Sequence, residues 1–319
     1  MTTRSFERIN YGLRPAKNVE RKMICEAFRR LSEFAQLKSY RYVGFGSTYF
    51  SDFVLFHKAL GIRSMTSIEK HAAVKERFAF NKPYKCIAVQ FGECGDVLKE
   101  LTWNDRTLMW LDYDGRLDAD VLSDVGFCVA NAPSGSLLLV SVNVQPEKFV
   151  DTEVNEKALS DLKERMGEEK VPADIRAQDL EDWGTALVCK RILDNEIAQG
   201  LAERNGLRSP ETKIQYKQIL NFHYRDGARM LTIGGVLVDA GLLPSFAKCD
   251  FTGLDFVRTD STPYLIEIPN LTYREMRALD KQLPIDDPKN LKAEGVPAED
   301  LQKYERIYRY FPTFAEAEI

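Results

Sequence analysis

The chain has 319 residues, 44% of them hydrophobic and 29% charged, with 44 Lys and Arg against 48 Asp and Glu and a net charge of −4. That length holds one large domain with an insertion, or two domains, and supplies ample apolar material for a core. The acidic balance implies no broad basic surface, though a local basic groove stays open, and it disfavours duplex nucleic acid as a partner.

No run of about 18 apolar residues is present, so no membrane span is expected. The opening MTTRSFERINYGLRPAK lacks a signal-peptide core, and a cytoplasmic location follows as an expectation. The six cysteines, Cys25, Cys86, Cys94, Cys128, Cys189 and Cys249, form no CxxC pair and read as buried free thiols. His57, His71 and His223 have no metal-ligand spacing.

In chain order, residues 17–37 carry Met23, Ile24, Ala27, Phe28, Leu31 and Phe34 at helical spacing. Before them, LRPAK places Arg14 and Lys17 at the helix start. They read as solvated, with a ligand-facing role as the alternative. RYVGFGST is a strand entering a glycine turn, and SDFVLFHKAL is a helix. SMTSIEKH, KCIAVQFGE, TLMWLDYD and GSLLLVSVNV are further strands, separated by the helical stretches HAAVKERFAFNK, DVLKELTW and ADVLSDVGFCVANA.

Charged helical residues follow Pro146, and the run 161–170 reads as a solvated face. A long amphipathic helix then stops near Gly206. IQYKQILNFHYRDGARMLTIGGVLVD is a hairpin around Asp226-Gly227. The tail holds a short strand, PYLIEI, and helical pieces.

Short apolar strands alternating with helices predict an α/β fold: a doubly wound, mostly parallel, seven-stranded sheet. Residues 1–40 read as a helical lead-in, 41–146 and 214–245 as the core, 147–213 as a helical insertion and 246–319 as a C-terminal extension.

Two motifs carry chemistry. In VGFGSTYFSDF, Gly44 and Gly46 lie between strand and helix, where glycine permits a tight turn and close approach to a ligand. Glu69 ends the next strand, placed to accept hydrogen bonds from both hydroxyls of a ribose. The third glycine of the dinucleotide fingerprint is replaced by Tyr49, which argues against a pyrophosphate.

The second motif is LMWLDYDGRL, with Asp112 and Asp114 ending a buried strand. Asp114-Gly115 also fits a turn whose carboxylate caps the next helix. Tyr49, Phe50, Phe53 and Phe56 read as core, with an aromatic wall beside the ligand as the alternative. Strand alternation sends His223 to the face opposite Phe222 and Tyr224, as a structural histidine.

With VGFGS, SIEKH, QFGECGDVL and WLDYDG in this order, residues 41–144 and the hairpin at 214–239 resemble the class I S-adenosylmethionine-dependent methyltransferases. Bacterial proteins labelled O-methyltransferases are the most similar. The resemblance implies that Gly44, Gly46 and Ser47 line the methionine end of the cofactor, that Glu69 holds the ribose, and that Gly92 and Glu93 sit near the adenine. It implies Asp112 beside the transferred methyl, with Asp112 and Asp114 as base, substrate anchor or Mg²⁺ ligands. The chain departs from the pattern at Arg41 and Tyr42, where an acid often stands two residues before the first glycine.

Absence of an Asn/Asp-Pro-Pro-aromatic signature turns the expectation toward an oxygen of a small-molecule or protein acceptor. Three alternatives stay open: a haloacid-dehalogenase-like phosphatase on DYDG, with Ser141 as a further residue; a DxD sugar transferase; and a non-catalytic S-adenosylmethionine or nucleotide-binding module.

Overall fold

Strands that are apolar on both faces must lie in the middle of a layered structure. Of β1 (Arg41–Gly44), β2 (Ser64–Glu69), β3 (Ile87–Phe91), β4 (Thr107–Arg116) and β5 (Leu137–Asn143), all but β3 obey this, and so does the hairpin β6 (Gln215–Asp226) and β7 (Ala228–Val238), while β3 fully buries Ile87 alone. In the computed structural model, which describes residues 14–146 and 154–312, these strands and β8 (Tyr264–Ile266) form one sheet ordered β3-β2-β1-β4-β5-β7-β6-β8. β7 runs antiparallel to both neighbours and every other pairing is parallel.

The sheet has eight strands where seven were expected. The added one is PYLIEI of the tail, which pairs along Phe222–Tyr224 of β6 and covers what would be an open edge. The start of the lead-in (1–13), residues 147–153 and the last seven residues lie outside the described residues.

Alternation along the central strands sorts the core into two layers. Leu108, Trp110, Leu137 and Leu139 face α1 (Pro15–Arg30) and α2 (Ser51–Leu60), with Phe78 of α3 (Lys75–Asn81) beside them. Met109, Leu111, Leu138 and Val140 face α4 (Cys94–Glu100), α5 (Ala119–Asn131), α6 (Val154–Met166) and α7 (Gly184–Asn205). Phe50, Phe53 and Phe56 are fully buried in the first layer, as the core reading expects, and Tyr49 is exposed. α7 stops at Gly206 with right-handed backbone, so the stop is a frayed turn rather than a left-handed cap. No helix among the described residues is long and apolar enough to cross a membrane.

α1 begins without a cap of its own, since Arg14 offers no side-chain acceptor. The hairpin tip supplies it: the Asp226 carboxylate accepts from the backbone N–H of Ala16 (3.3 Å) and Lys17 (2.7 Å). Gly227, with φ of +89°, turns the chain between Asp226 and Ala228. The start of α1 is thereby tied to a hairpin two hundred residues later.

His223 points into the second layer and stacks on Trp183 at 4.9 Å between ring centroids and 15° between planes. Its Nε2 has no hydrogen-bond partner among the described residues. Burial lowers its pKa to about 4, so the ring folds neutral. Below about pH 6.5 the unfolded chain takes up a proton that the folded chain refuses, and stability is lost as pH falls toward 4. His223→Phe should therefore lessen the stability lost between pH 7 and pH 5 by up to about 2 kcal/mol, measured by urea denaturation at both values; an unchanged difference would contradict the buried neutral ring.

Candidate active site

The parallel strands end together on one side of the sheet, and the strand order reverses between β1 and β4. Ligands of open α/β sheets bind at such a switch point. A cavity of about 1430 Å³ opens there.

The glycine turn forms one wall. Gly46 donates its N–H to Ser67 Oγ (3.0 Å) and Glu69 Oε1 (3.1 Å), and the Ser67 hydroxyl donates to the same Glu69 oxygen (2.8 Å). A Cβ on Gly46 would stand 2.6 Å from the Phe50 ring and from Ser67 Oγ. Ser47 and Phe50 adopt left-handed backbone, with φ of 48° and 47°. That conformation costs side-chain-bearing residues roughly 1–3 kcal/mol each. Burial raises the Glu69 carboxyl to about 7, against the lowering effect of its Ser67 and Gly46 hydrogen bonds.

The other wall is the end of β4. Pairing with β5 is regular to Asp112↔Ser141, then shifts so that Arg116 meets Asn143. The irregular Tyr113–Gly115 stretch thus leaves the ladder and lines the opening. Tyr113 donates its hydroxyl to Asp124 Oδ2 at 2.6 Å, and burial raises the Asp124 carboxyl. α5 is capped by Asp118, whose Oδ1 accepts from the Val121 N–H (2.9 Å), so Asp114 is not the capping residue.

Of the residues singled out from sequence, Gly46, Ser47, Glu69, Gly92, Glu93, Asp112 and Asp114 line this one cavity. Gly44 does not. It lies within β1 between Ser67 and Trp110, and a Cβ there would press 2.5 Å from the Tyr42 hydroxyl and 3.1 Å from the Trp110 carbonyl. Glu93 stands at the exposed rim, paired with Lys70 at 3.0 Å.

Lys17 overturns the expectation of a solvated helix start. It is 2% exposed, and its ammonium lies 2.5 Å from Asp112 Oδ1, 2.7 Å from Glu20 Oε2 and 3.1 Å from the Tyr224 hydroxyl. It also sits 4.4 Å above the centroid of the Trp110 ring. Glu20 is fully buried, and burial raises its carboxyl while Lys17 opposes the rise. Behind it a directed chain crosses the sheet. Trp110 Nε1–H donates to Ser141 Oγ (2.9 Å), Ser141 bonds Thr232 Oγ1 (2.7 Å), and Thr232 donates to Glu20 Oε1.

Asp52, in the first turn of α2, accepts the Tyr42 hydroxyl; burial raises its carboxyl and Arg21 opposes the rise. Arg21, Asp52, Tyr224 and Asp226 also reach the cavity and were missed by the motif reading, whereas Lys17 and Arg14 reach it as the ligand-facing alternative allowed. A signal existed for the buried face of α1: Lys17 and Glu20 continue the apolar stripe of Ile24 and Phe28 back by two turns, so charges fall on that face.

The donors of Asp112 bear on the open alternatives. Its Oδ1 already faces an ammonium, and among the described residues no group of three or more His, Cys, Asp or Glu is placed to hold a metal ion. A cation at Asp112 would have to share that carboxylate with the Lys17 ammonium. Ser141 is fully buried with its hydroxyl spent on Trp110 and Thr232, away from the role a phosphatase would need.

Comparison with known proteins agrees with the topology. The chain belongs to the family described as "Putative O-methyltransferase", whose model matches residues 9–319. Its fold is that of the Rossmann-type S-adenosylmethionine-dependent methyltransferases. No curated protein matches the sequence. Solved structures similar to it include the O-methyltransferase TomG from Streptomyces achromogenes in complex with SAM, at 15% identity over 66% of this chain and 78% of that one (TM-score 0.36). Trm1 from Pyrococcus horikoshii with S-adenosyl-L-methionine is 10% identical over 91% of this chain and 75% of that one (TM-score 0.47). Similarities of this size carry nothing about substrate.

The Gly46 geometry makes a direct prediction. Gly46→Ala should destabilise the protein by about 1–3 kcal/mol through overpacking against Phe50 and Ser67, read as a lower urea midpoint. A wild-type midpoint would mean that the turn relaxes without cost.

Proposed function

We propose that this protein transfers a methyl group from S-adenosylmethionine to an oxygen of its acceptor. The observation that carries the reading is the open cavity beside Asp112. Its volume exceeds the several hundred cubic ångströms a single small ligand occupies, so a cofactor and an acceptor can meet there. A binding module without catalysis would not need the second space.

The residues suit the cofactor. Glu69 offers a buried carboxylate to ribose hydroxyls, and Gly46, which packs on Phe50 and Ser67, lets the turn line the cavity with backbone at the methionine end. Ten carboxylates line the cavity against six Lys and Arg, an environment that favours a cation. Bound S-adenosylmethionine supplies an electrophilic methyl on a positively charged sulfur. The chain's own work is positioning and exclusion of water, which suffices for much of an in-line displacement. Asp112 keeps Oδ1 on Lys17 and has Oδ2 for the acceptor, whose proton it takes as the new O–CH₃ bond forms. Asp114 and Asn143, at the same opening, anchor the rest of the acceptor.

Calorimetric titration with S-adenosylmethionine and S-adenosylhomocysteine tests the cofactor assignment: micromolar binding of both is expected, and binding of neither would sink it. Ribose hydroxyls donate to the ionised Glu69, so affinity for S-adenosylhomocysteine should weaken as pH falls below about 7, by up to about tenfold per unit. Glu69→Gln should remove that dependence; a variant with the same pH profile would take Glu69 out of the site. Once an acceptor is in hand, Asp112→Asn should reduce kcat by about 100-fold or more while S-adenosylhomocysteine still binds, and wild-type turnover would make Asp112 structural.

A further inference from the structure

A lysine ammonium beside the binding place of a cationic cofactor needs a reason. S-adenosylmethionine and the S-adenosylhomocysteine left after transfer differ at one atom: the first carries a methyl and a positive charge on sulfur, the second neither. Shape separates them weakly, since one methyl is a small handle. Charge at the sulfur separates them strongly.

Two carboxylates, Glu20 and Asp112, converge on the Lys17 ammonium at 2.7 and 2.5 Å. Glu20 is sealed from the cavity and bound by Thr232 behind it, whereas the Asp112 side chain is 23% exposed and lines the opening. The ammonium is itself 2% exposed and held from two further sides by the Tyr224 hydroxyl and the Trp110 ring. Side-chain entropy is already spent, and the charge cannot swing away when a cofactor enters.

We propose that Lys17 is a charge-setting residue, which offsets Asp112 so that the cavity does not hold the sulfonium cofactor far more tightly than its neutral product. This rests on the methyl-transfer reading above. The physical benefit lies in the reaction itself. Positive charge on sulfur vanishes along the transfer, so an uncompensated carboxylate beside it stabilises the bound cofactor more than the transition state. An adjacent ammonium trims that excess and leaves Asp112 aimed at the acceptor.

The test needs no acceptor. Dissociation constants for S-adenosylmethionine and S-adenosylhomocysteine are measured by calorimetry on the full chain, as wild type, Lys17→Met and Lys17→Arg. Removing one charge several ångströms from the sulfur, partly screened, should raise the preference for S-adenosylmethionine over S-adenosylhomocysteine roughly tenfold in Lys17→Met. Lys17→Arg, which keeps the charge, should stay near the wild-type ratio. If Lys17→Met does not fold, the Lys17→Met/Glu20→Gln pair removes the stranded buried acid, and the same rise is expected. A ratio within about twofold of wild type in the folded Met variant, or an equal rise in Lys17→Arg, overturns the assignment of Lys17 alone. A wild-type protein that binds neither compound overturns the methyl-transfer reading, and this inference with it.

Discussion

Burial of the Lys17 ammonium between Glu20 and Asp112 is the constraint around which the site is assembled. A charge taken out of water is tolerable only when it is paired and its remaining hydrogen-bonding capacity is met. Here each group depends on the next. Lys17 needs both acids, Glu20 needs Lys17 and Thr232, and Thr232 is joined through Ser141 to the Trp110 indole. The chain of contacts runs from α1 through β7 and β5 to β4, so three strands and a helix must be in register before any of these groups is satisfied. Removing one member of such a set typically costs about 3–5 kcal/mol, because the others are left buried and unpaired.

That network explains the placement of α1, which precedes the sheet in sequence yet closes one side of its cavity. Apolar packing of Met23, Ile24, Ala27 and Phe28 holds the helix against the sheet but is non-directional. The polar pins supply direction. Asp226 caps the helix start from the hairpin tip, and Lys17 reaches Asp112 at the end of β4. Two devices then open the space. The left-handed turn at Ser47 and Phe50 carries the chain sharply from β1 into α2, and the register shift after Asp112 lifts Tyr113 to Gly115 out of the β4–β5 ladder.

Much of this was legible in the residues. Period-2 and period-3.6 patterns placed seven of the strands and the helices of the sheet, and the Asp-Gly pair marked the hairpin, because these are local properties of the backbone. Gly46, Ser47, Glu69, Gly92, Glu93, Asp112 and Asp114, gathered by the resemblance to methyltransferases, line one cavity because residues that end successive parallel strands are neighbours in space. Gly44 was drawn to the cavity by its motif and instead serves close packing of β1 against the Tyr42 ring and β4. The eighth strand was visible as a strand, but local pattern says nothing about which sheet edge it joins.

By itself, then, the sequence determined the layered α/β architecture, the hairpin and where the strands end, since each follows from steric and solvation preferences within a few residues. Tertiary structure alone decided that Lys17 is buried and not solvated and that Asp226 caps α1. Those outcomes turn on pairs separated by up to two hundred residues. A charged side chain at the start of an amphipathic helix carries no local mark of the distant acid that will make its burial affordable.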